Sequence, residues 1–293
     1  MLRPCRRWRK HVVLLLRHRN QGVAEAATVT AGVSLARRLT AELLGSALLA
    51  AVVIGSGIAA KRLSPSDVGL ELLENAAATG AGLYTLILMF AKVSGAHFNP
   101  VVSFVDAAFG GVPWRTAVAY LPAQVIGCAS GAVLANVMFS LPALSIATHH
   151  RATGGHFVSE IVATAGLVLV IFALARTGRS EHAPAAVGAY IGAAYFFTSS
   201  TSFANPAITV GRIFSNTFAG IAPSSAPAFI GAQVIGGVTA FALVKALYPG
   251  FTPAEAATVV GRDDDGPQGS RPSGNGRRHA GKLGPRSEPK EMQ

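Results

Sequence analysis

The sequence predicts an all-α integral membrane protein with six transmembrane helices and two re-entrant half-helices, arranged as an inverted 3+3 repeat. Three observations carry that prediction. Of 293 residues, 51% are hydrophobic and only 13% are charged, against about a quarter charged in a soluble domain. Six apolar segments each approach the ~20 residues that a spanning helix needs. Two further apolar stretches, each holding an Asn-Pro pair, are too short to span.

The charges are unevenly spread. Nine of the 25 Lys and Arg lie in residues 1–38, and eight more lie from Lys245 onward. The net charge of +11 therefore reflects basic tails, and no basic stripe interleaved with aromatics suggests nucleic acid. The two cysteines, Cys5 and Cys128, give no disulfide framework. No metal-ligand spacing is present. His149, His150 and His156 cluster with Arg151 in one loop, but no carboxylate or cysteine accompanies them, and a solvated loop is the better reading.

Residues 1–37 form a basic tail. Val33 precedes SLARRLTAELLG, which resembles a natural start, so residues 1–32 are read either as a gene-model extension or as a translated tail. The spans follow at 39–60, 69–92, 114–139, 156–176, 184–202 and 225–248. An even number of spans puts both termini on one side. The basic tails and the loop with Arg176 and Arg179 put that side in the cytoplasm. Residues 250–293 are rich in Gly, Pro and charge without periodicity and read as a disordered tail. The membrane domain is thus 38–249, with half one at 38–140 and half two at 155–249.

Each short stretch has a non-helical approach, then Asn-Pro, then a helix-like run. They are SGAHFNPVVSFVDAAFGG at 94–111 and STSFANPAITVGRIFSNTFAG at 202–220. Irregular backbone at membrane depth is tolerated only where it lines a cavity or is buried in protein.

The halves repeat. Ala123-Gln124-Val125-Ile126-Gly127 recurs identically as Ala232-Gln233-Val234-Ile235-Gly236. Glu42 opens the first span of half one, and Glu160 opens that of half two. Three spans per half invert the second half relative to the first, which brings both Asn-Pro elements to the midplane from opposite sides. Asn is a good N-cap, and Pro is favoured at the first helical position. Asn99-Pro100 and Asn205-Pro206 are therefore suited to start short helices whose positive dipole ends meet. Their amides are available to a passing oxygen, and their field opposes cations and proton hopping.

These residues resemble the aquaporin (major intrinsic protein) superfamily. SGAHFNPV is similar to its first signature and FANPA to its second, and the resemblance covers about residues 37–249. It implies the aquaporin fold, a homotetramer in a bacterial inner membrane with a pore in each subunit, and passive conduction of water or small neutral solutes. It implies no enzyme activity and no cofactor. The pore constriction is expected at Asn99, Pro100, Val101, Asn205, Pro206 and Ala207. A carbonyl ladder is expected at Gly95, Ala96, His97, Thr201, Ser202 and Phe203. Glu42 and Glu160, with Gln124 and Gln233, are expected to support the loops.

The outer filter positions fall on Thr79, Ala193, Ser202 and Ile208. Water-selective members resemble Phe, His, a small residue and Arg there. The small uncharged set suggests a wider, less polar filter suited to a larger neutral solute. Arg212 is expected either to reach back into that filter or to hold loop carbonyls, and Val101 to add bulk near the constriction. The combination looks most like the arsenic-resistance-linked bacterial branch, which implies trivalent arsenicals or glycerol-like solutes. A strict water channel and a general glycerol facilitator are the alternatives. From another class, a secondary transporter also uses inverted repeats and broken helices.

Overall fold

The computed structural model describes residues 33–250 and Pro253. Expectations for residues 1–32 and for the rest of the C-terminal tail lie outside the described residues. Among the described residues there are eight α-helices and no strand. They are α1 (Leu35–Leu63), α2 (Val68–Ser94), α3 (Pro100–Phe109), α4 (Trp114–Met138), α5 (Gly154–Arg176), α6 (Ala183–Phe197), α7 (Pro206–Gly211) and α8 (Ala226–Leu247).

Five of these, α1, α2, α4, α5 and α8, are long and apolar enough to cross a membrane. The sixth expected span is shorter than its apolar run. Helix α6 has 15 residues, about 22 Å at 1.5 Å per residue. The 3₁₀ turn Ser180–His182 precedes it, and residues 198–204 leave the helix to approach α7. Helices α3 and α7 are the two half-helices. Each has Asn as N-cap and Pro at its first position.

Local signals set the ends. Ser34, Asp67 and Thr153 cap α1, α2 and α5, each accepting a hydrogen bond from the N–H three residues on. Helix α2 stops at Gly95, whose φ of +95° is left-handed; glycine enters that region without a Cβ penalty.

Among the described residues, polar side chains turn inward into an otherwise apolar core, and large apolar side chains are exposed outside. Glu42, Gln124, Glu160 and Gln233 are fully buried. Leu73, Leu88, Val118, Ile126 and Val238 are exposed. A bilayer supplies no water to backbone or side chain, so polar groups turn inward to one another.

With apolar surfaces on both sides, helices associate by close packing of small residues. The repeat shows this directly. A Cβ on Gly127 of α4 would meet the Leu43 carbonyl and the Ser46 Cβ, the latter at 2.9 Å. A Cβ on Gly236 of α8 would meet the Ile161 carbonyl at 2.6 Å and the Thr164 Cβ at 2.9 Å. Leu43 and Ile161 each follow the repeat glutamate, and Ser46 and Thr164 each stand four residues beyond it. The two contacts are the same contact made twice.

Gly127→Ala and Gly236→Ala are each expected to lower the thermal stability of the purified protein, by on the order of 1–3 kcal/mol or more from overpacking. Gly231→Ala, with open space around it, is expected to stay within about 0.5 kcal/mol of wild type. Thermal unfolding in detergent checks both.

Candidate functional site: a conduit between two half-helices

The loops before α3 and α7 carry the same unusual backbone. Gly95, Ala96 and Phe98 have positive φ, and so do Thr201, Ser202 and Ala204. Counted back from Asn99 and Asn205, these are the same three positions. Non-glycine residues in this region cost on the order of 1–3 kcal/mol each and persist only where the surroundings hold them.

The glutamates supply that hold. Glu42 Oε1 accepts from the His97 N–H at 3.0 Å and the Ser94 hydroxyl at 2.6 Å. Its Oε2 accepts from the Phe98 N–H at 2.8 Å and the Gln124 amide at 2.8 Å. Glu160 repeats the pattern. It accepts from the Phe203 and Ala204 N–H groups, both at 2.9 Å, and from the Gln233 amide at 2.6 Å. Bonds to an ionised acceptor are the strong kind.

The two loops then lock together. Asn99 Nδ2 donates to the Ala204 carbonyl at 2.8 Å, and Asn205 Nδ2 donates to the Phe98 carbonyl at 2.7 Å. Asn99 Oδ1 caps the Val101 N–H, and Asn205 Oδ1 caps those of Ala207 and Ile208. An amide nitrogen carries two donors, so each asparagine keeps one for a passing oxygen.

A cavity, here called the conduit, lies beside both asparagines and leaves about 70 Å³ open to water-sized molecules. At 10–15 Å³ each, that holds on the order of five waters. Much of its lining is apolar, including Leu49, Val53, Leu83, Ile87, Val102, Leu167 and Ile171. The polar lining residues are Thr79, His97, Asn99, Tyr195, Ser202, Asn205 and Arg212. The Ser202 hydroxyl is buried without a hydrogen-bond partner.

Several expected residues lie elsewhere. Pro100, Val101, Pro206 and Ala207 are buried but do not line the conduit. Val101 points at Gly237, whose missing side chain makes room for it, so its bulk falls on a helix contact and not on the passage. Gly95 and Thr201 also stand off the lining, whereas Ala96, His97, Ser202 and Phe203 are on it.

Ala193 is the main correction. It is exposed on the outside of α6. The conduit face of α6 is the every-fourth-residue stripe Ala183, Val187, Ile191 and Tyr195, and Ala193 lies across the helix from it. Tyr195 takes the place expected of Ala193, and its hydroxyl sits 3.1 Å from that of Thr79. The stripe was visible in the sequence; a fixed offset from Asn205 misses it.

Arg212 lines the conduit and also bonds to a loop carbonyl. It follows Ile208 by four residues, at the start of the 3₁₀ turn Arg212–Phe214 that continues from α7, and both reach the conduit. It is 2% exposed and its guanidinium lies 3.4 Å from the centre of the Phe203 ring. Its Nε also donates to the Ala219 carbonyl of the following loop. The lining that holds Thr79, Ser202 and Ile208 therefore also holds a guanidinium and a tyrosine ring. Arg151, unassigned by sequence, donates to the Phe218 and Gly220 carbonyls, each at 3.0 Å, and stands 5.5 Å from the same ring. His149 and His150 bond to the Thr217 carbonyl and the Ser224 hydroxyl of this loop cluster.

Residues 29–204 match the family model of the major intrinsic proteins. The chain is 48% identical over 211 residues to the aquaglyceroporin AqpS of Rhizobium meliloti (strain 1021), covering 72% of this chain and 90% of that protein. It is 32% identical over 146 residues to the probable aquaporin NIP7-1 of Arabidopsis thaliana, covering 47% of this chain and 50% of the relative. The crystal structure of the aquaglyceroporin from Plasmodium falciparum has the same fold, with a TM-score of 0.55 at 20% identity over 72% of this chain and 96% of that one.

Glu160→Gln is expected to destabilise the second loop by on the order of 3 kcal/mol, because two buried N–H groups lose an ionised acceptor. Gln233→Ala removes one of the bonds to Glu160 and is expected to cost about 1–2 kcal/mol. Detergent unfolding of the two variants beside wild type gives the ranking.

Proposed function

The chain belongs to the major intrinsic protein family, membrane channels for water and small solutes and not enzymes, and on that premise we propose that it conducts small neutral polyhydroxyl solutes, glycerol and arsenous acid among them. The observation that carries the reading is the mixed polar and apolar lining. A polyhydroxyl solute presents hydroxyls that need partners and a body that does not. Thr79, Tyr195, Ser202 and Arg212 offer hydroxyls and a guanidinium, and Leu49, Val53, Leu83, Ile87, Leu167 and Ile171 offer carbon. The unpartnered Ser202 hydroxyl is a group waiting for such a partner. The aquaglyceroporin name of the 48% identical relative supports the same solute class.

In this reading Asn99 and Asn205 form the constriction, and Thr79, Tyr195, Ser202, Ile208 and Arg212 form the outer filter. The protein sits in a bacterial cytoplasmic membrane as a homotetramer with both termini inside. The basic loop with Arg176 and Arg179 supports that orientation. The exposed apolar face of α2 and α6, where Gly80 and Gly188 let the helices meet closely, supports a packed, lipid-immersed exterior.

A strict water channel is the second reading. Tyr195 and Arg212 favour it, since they add bulk where the sequence suggested alanine and open space. Full-length protein in liposomes separates the two. The expected result is fast uptake of glycerol and arsenous acid beside water flux, without proton leak. Fast water flux with both solutes excluded would leave the water channel standing. Tyr195→Phe, which loses one hydroxyl of the polar lining, is expected to lower glycerol uptake a few-fold relative to water flux in the same vesicles.

A further inference from the structure

The two half-helices match residue for residue along the face they turn to the conduit. Three residues past each asparagine, Val102 and Ile208 both line the passage. Four residues further stand Asp106 and Arg212. Both are buried, each 2% exposed. Each faces the residue two before its own asparagine. Asp106 Oδ2 lies 3.4 Å from His97 Nε2, and Arg212 lies over Phe203. The register is the same and the charge is opposite.

The other charges make this consequential. Both half-helices aim their positive ends at the asparagines. Arg212 lines the wall and Arg151 stands behind Phe203. Such a field repels cations and attracts anions. Glu42 and Glu160 are negative, but all four of their oxygens accept bonds from loop N–H groups or from side chains of the loop and of α4 and α8. Asp106 differs. Its Oδ1 is buried with no hydrogen-bond partner, and its other oxygen faces His97, which lines the conduit.

We propose that Asp106 is a specificity-determining residue: its carboxylate behind His97 keeps small anions out of the conduit, and protonation of His97 removes that barrier. The proposal rests on the channel reading above. The groups facing His97 are Asp106 of α3, Glu42 of α1 through the His97 N–H, and Tyr120 of α4 with its ring 5.5 Å away. Arg38 of α1 donates to the Tyr120 hydroxyl at 2.8 Å.

Ser103 accommodates both charge states. Its Oγ lies 3.0 Å from His97 Nδ1 and 3.1 Å from the Asn99 carbonyl, and it accepts from the Gln124 amide. With neutral His97, the Ser103 hydroxyl donates to Nδ1 and the Nε2 proton faces Asp106. With charged His97, Nδ1–H donates to Ser103 and the hydroxyl turns to the Asn99 carbonyl. A proton added to His97 therefore places a positive charge opposite the carboxylate of Asp106.

The test is the ratio of nitrate to water permeability of full-length protein in liposomes, nitrate being ionised throughout. The wild-type ratio is expected to be low at pH 8 and to rise on order of tenfold by pH 5.5. That is the effect of a unit charge ~10 Å away at an effective dielectric near 20. Asp106→Asn is expected to show the raised ratio already at pH 8, and His97→Asn to lose the pH dependence. An Asp106→Asn ratio equal to wild type at pH 8, or a wild-type ratio unchanged to pH 5.5, overturns the proposal. Should Asp106→Asn not fold, the wild-type series decides alone. Absence of water and solute flux in the wild type would instead overturn the channel reading.

Discussion

Peptide groups inside a bilayer have no water to bond to, and two stretches of this chain cross that region without a helix of their own. Glu42 and Glu160 answer that need. Each binds two consecutive N–H groups of the loop in its own half and is steadied by a glutamine from another helix. The left-handed residues of the loops, the position of both asparagines and the course of the conduit all follow from those bonds. A charged carboxylate in a membrane is costly unless paired. Here it is offset by donors that would otherwise be unsatisfied, so each burial removes the penalty of the other.

The glutamates reach the loops because the helices come close enough. The Gly127 and Gly236 crossings bring α4 and α8 against the helices that carry Glu42 and Glu160. That proximity lets Gln124 and Gln233 touch the same carboxylates. Packing and polar chemistry are therefore one arrangement. A side chain added at the glycines would move the acceptors that hold the loops.

Much of this was legible in the sequence because repetition made weak signals strong. One Asn-Pro is a turn; two in matching halves, each with its glutamate and glutamine, specify an architecture. The filter was less legible. Ala193 was assigned by a fixed offset, but the shortness of α6 and its four-residue stripe bring Tyr195 to the wall. Val101 was judged by its bulk, yet the glycine that receives it lies 136 residues away in sequence. Asp106 went unnoticed because a lone carboxylate in an apolar run carries no pattern. Its meaning comes from Arg212, and that pairing shows only when the halves are laid over one another. Arg151 belongs to a loop whose fold no periodicity describes.

The reciprocal bonds of Asn99 and Asn205 have a consequence for origins. Each asparagine donates to the carbonyl just before the other, so the pair obeys a twofold axis lying in the membrane plane. Two identical half-length polypeptides, inserted with opposite orientations, would make both bonds without any change of residue. Such an ancestor could have only one kind of side chain at each position, and its two mouths would be alike. Fusion into one gene lifts that restriction. The symmetric bonds are retained while the residues around them drift apart, and two ends that began alike come to carry different side chains.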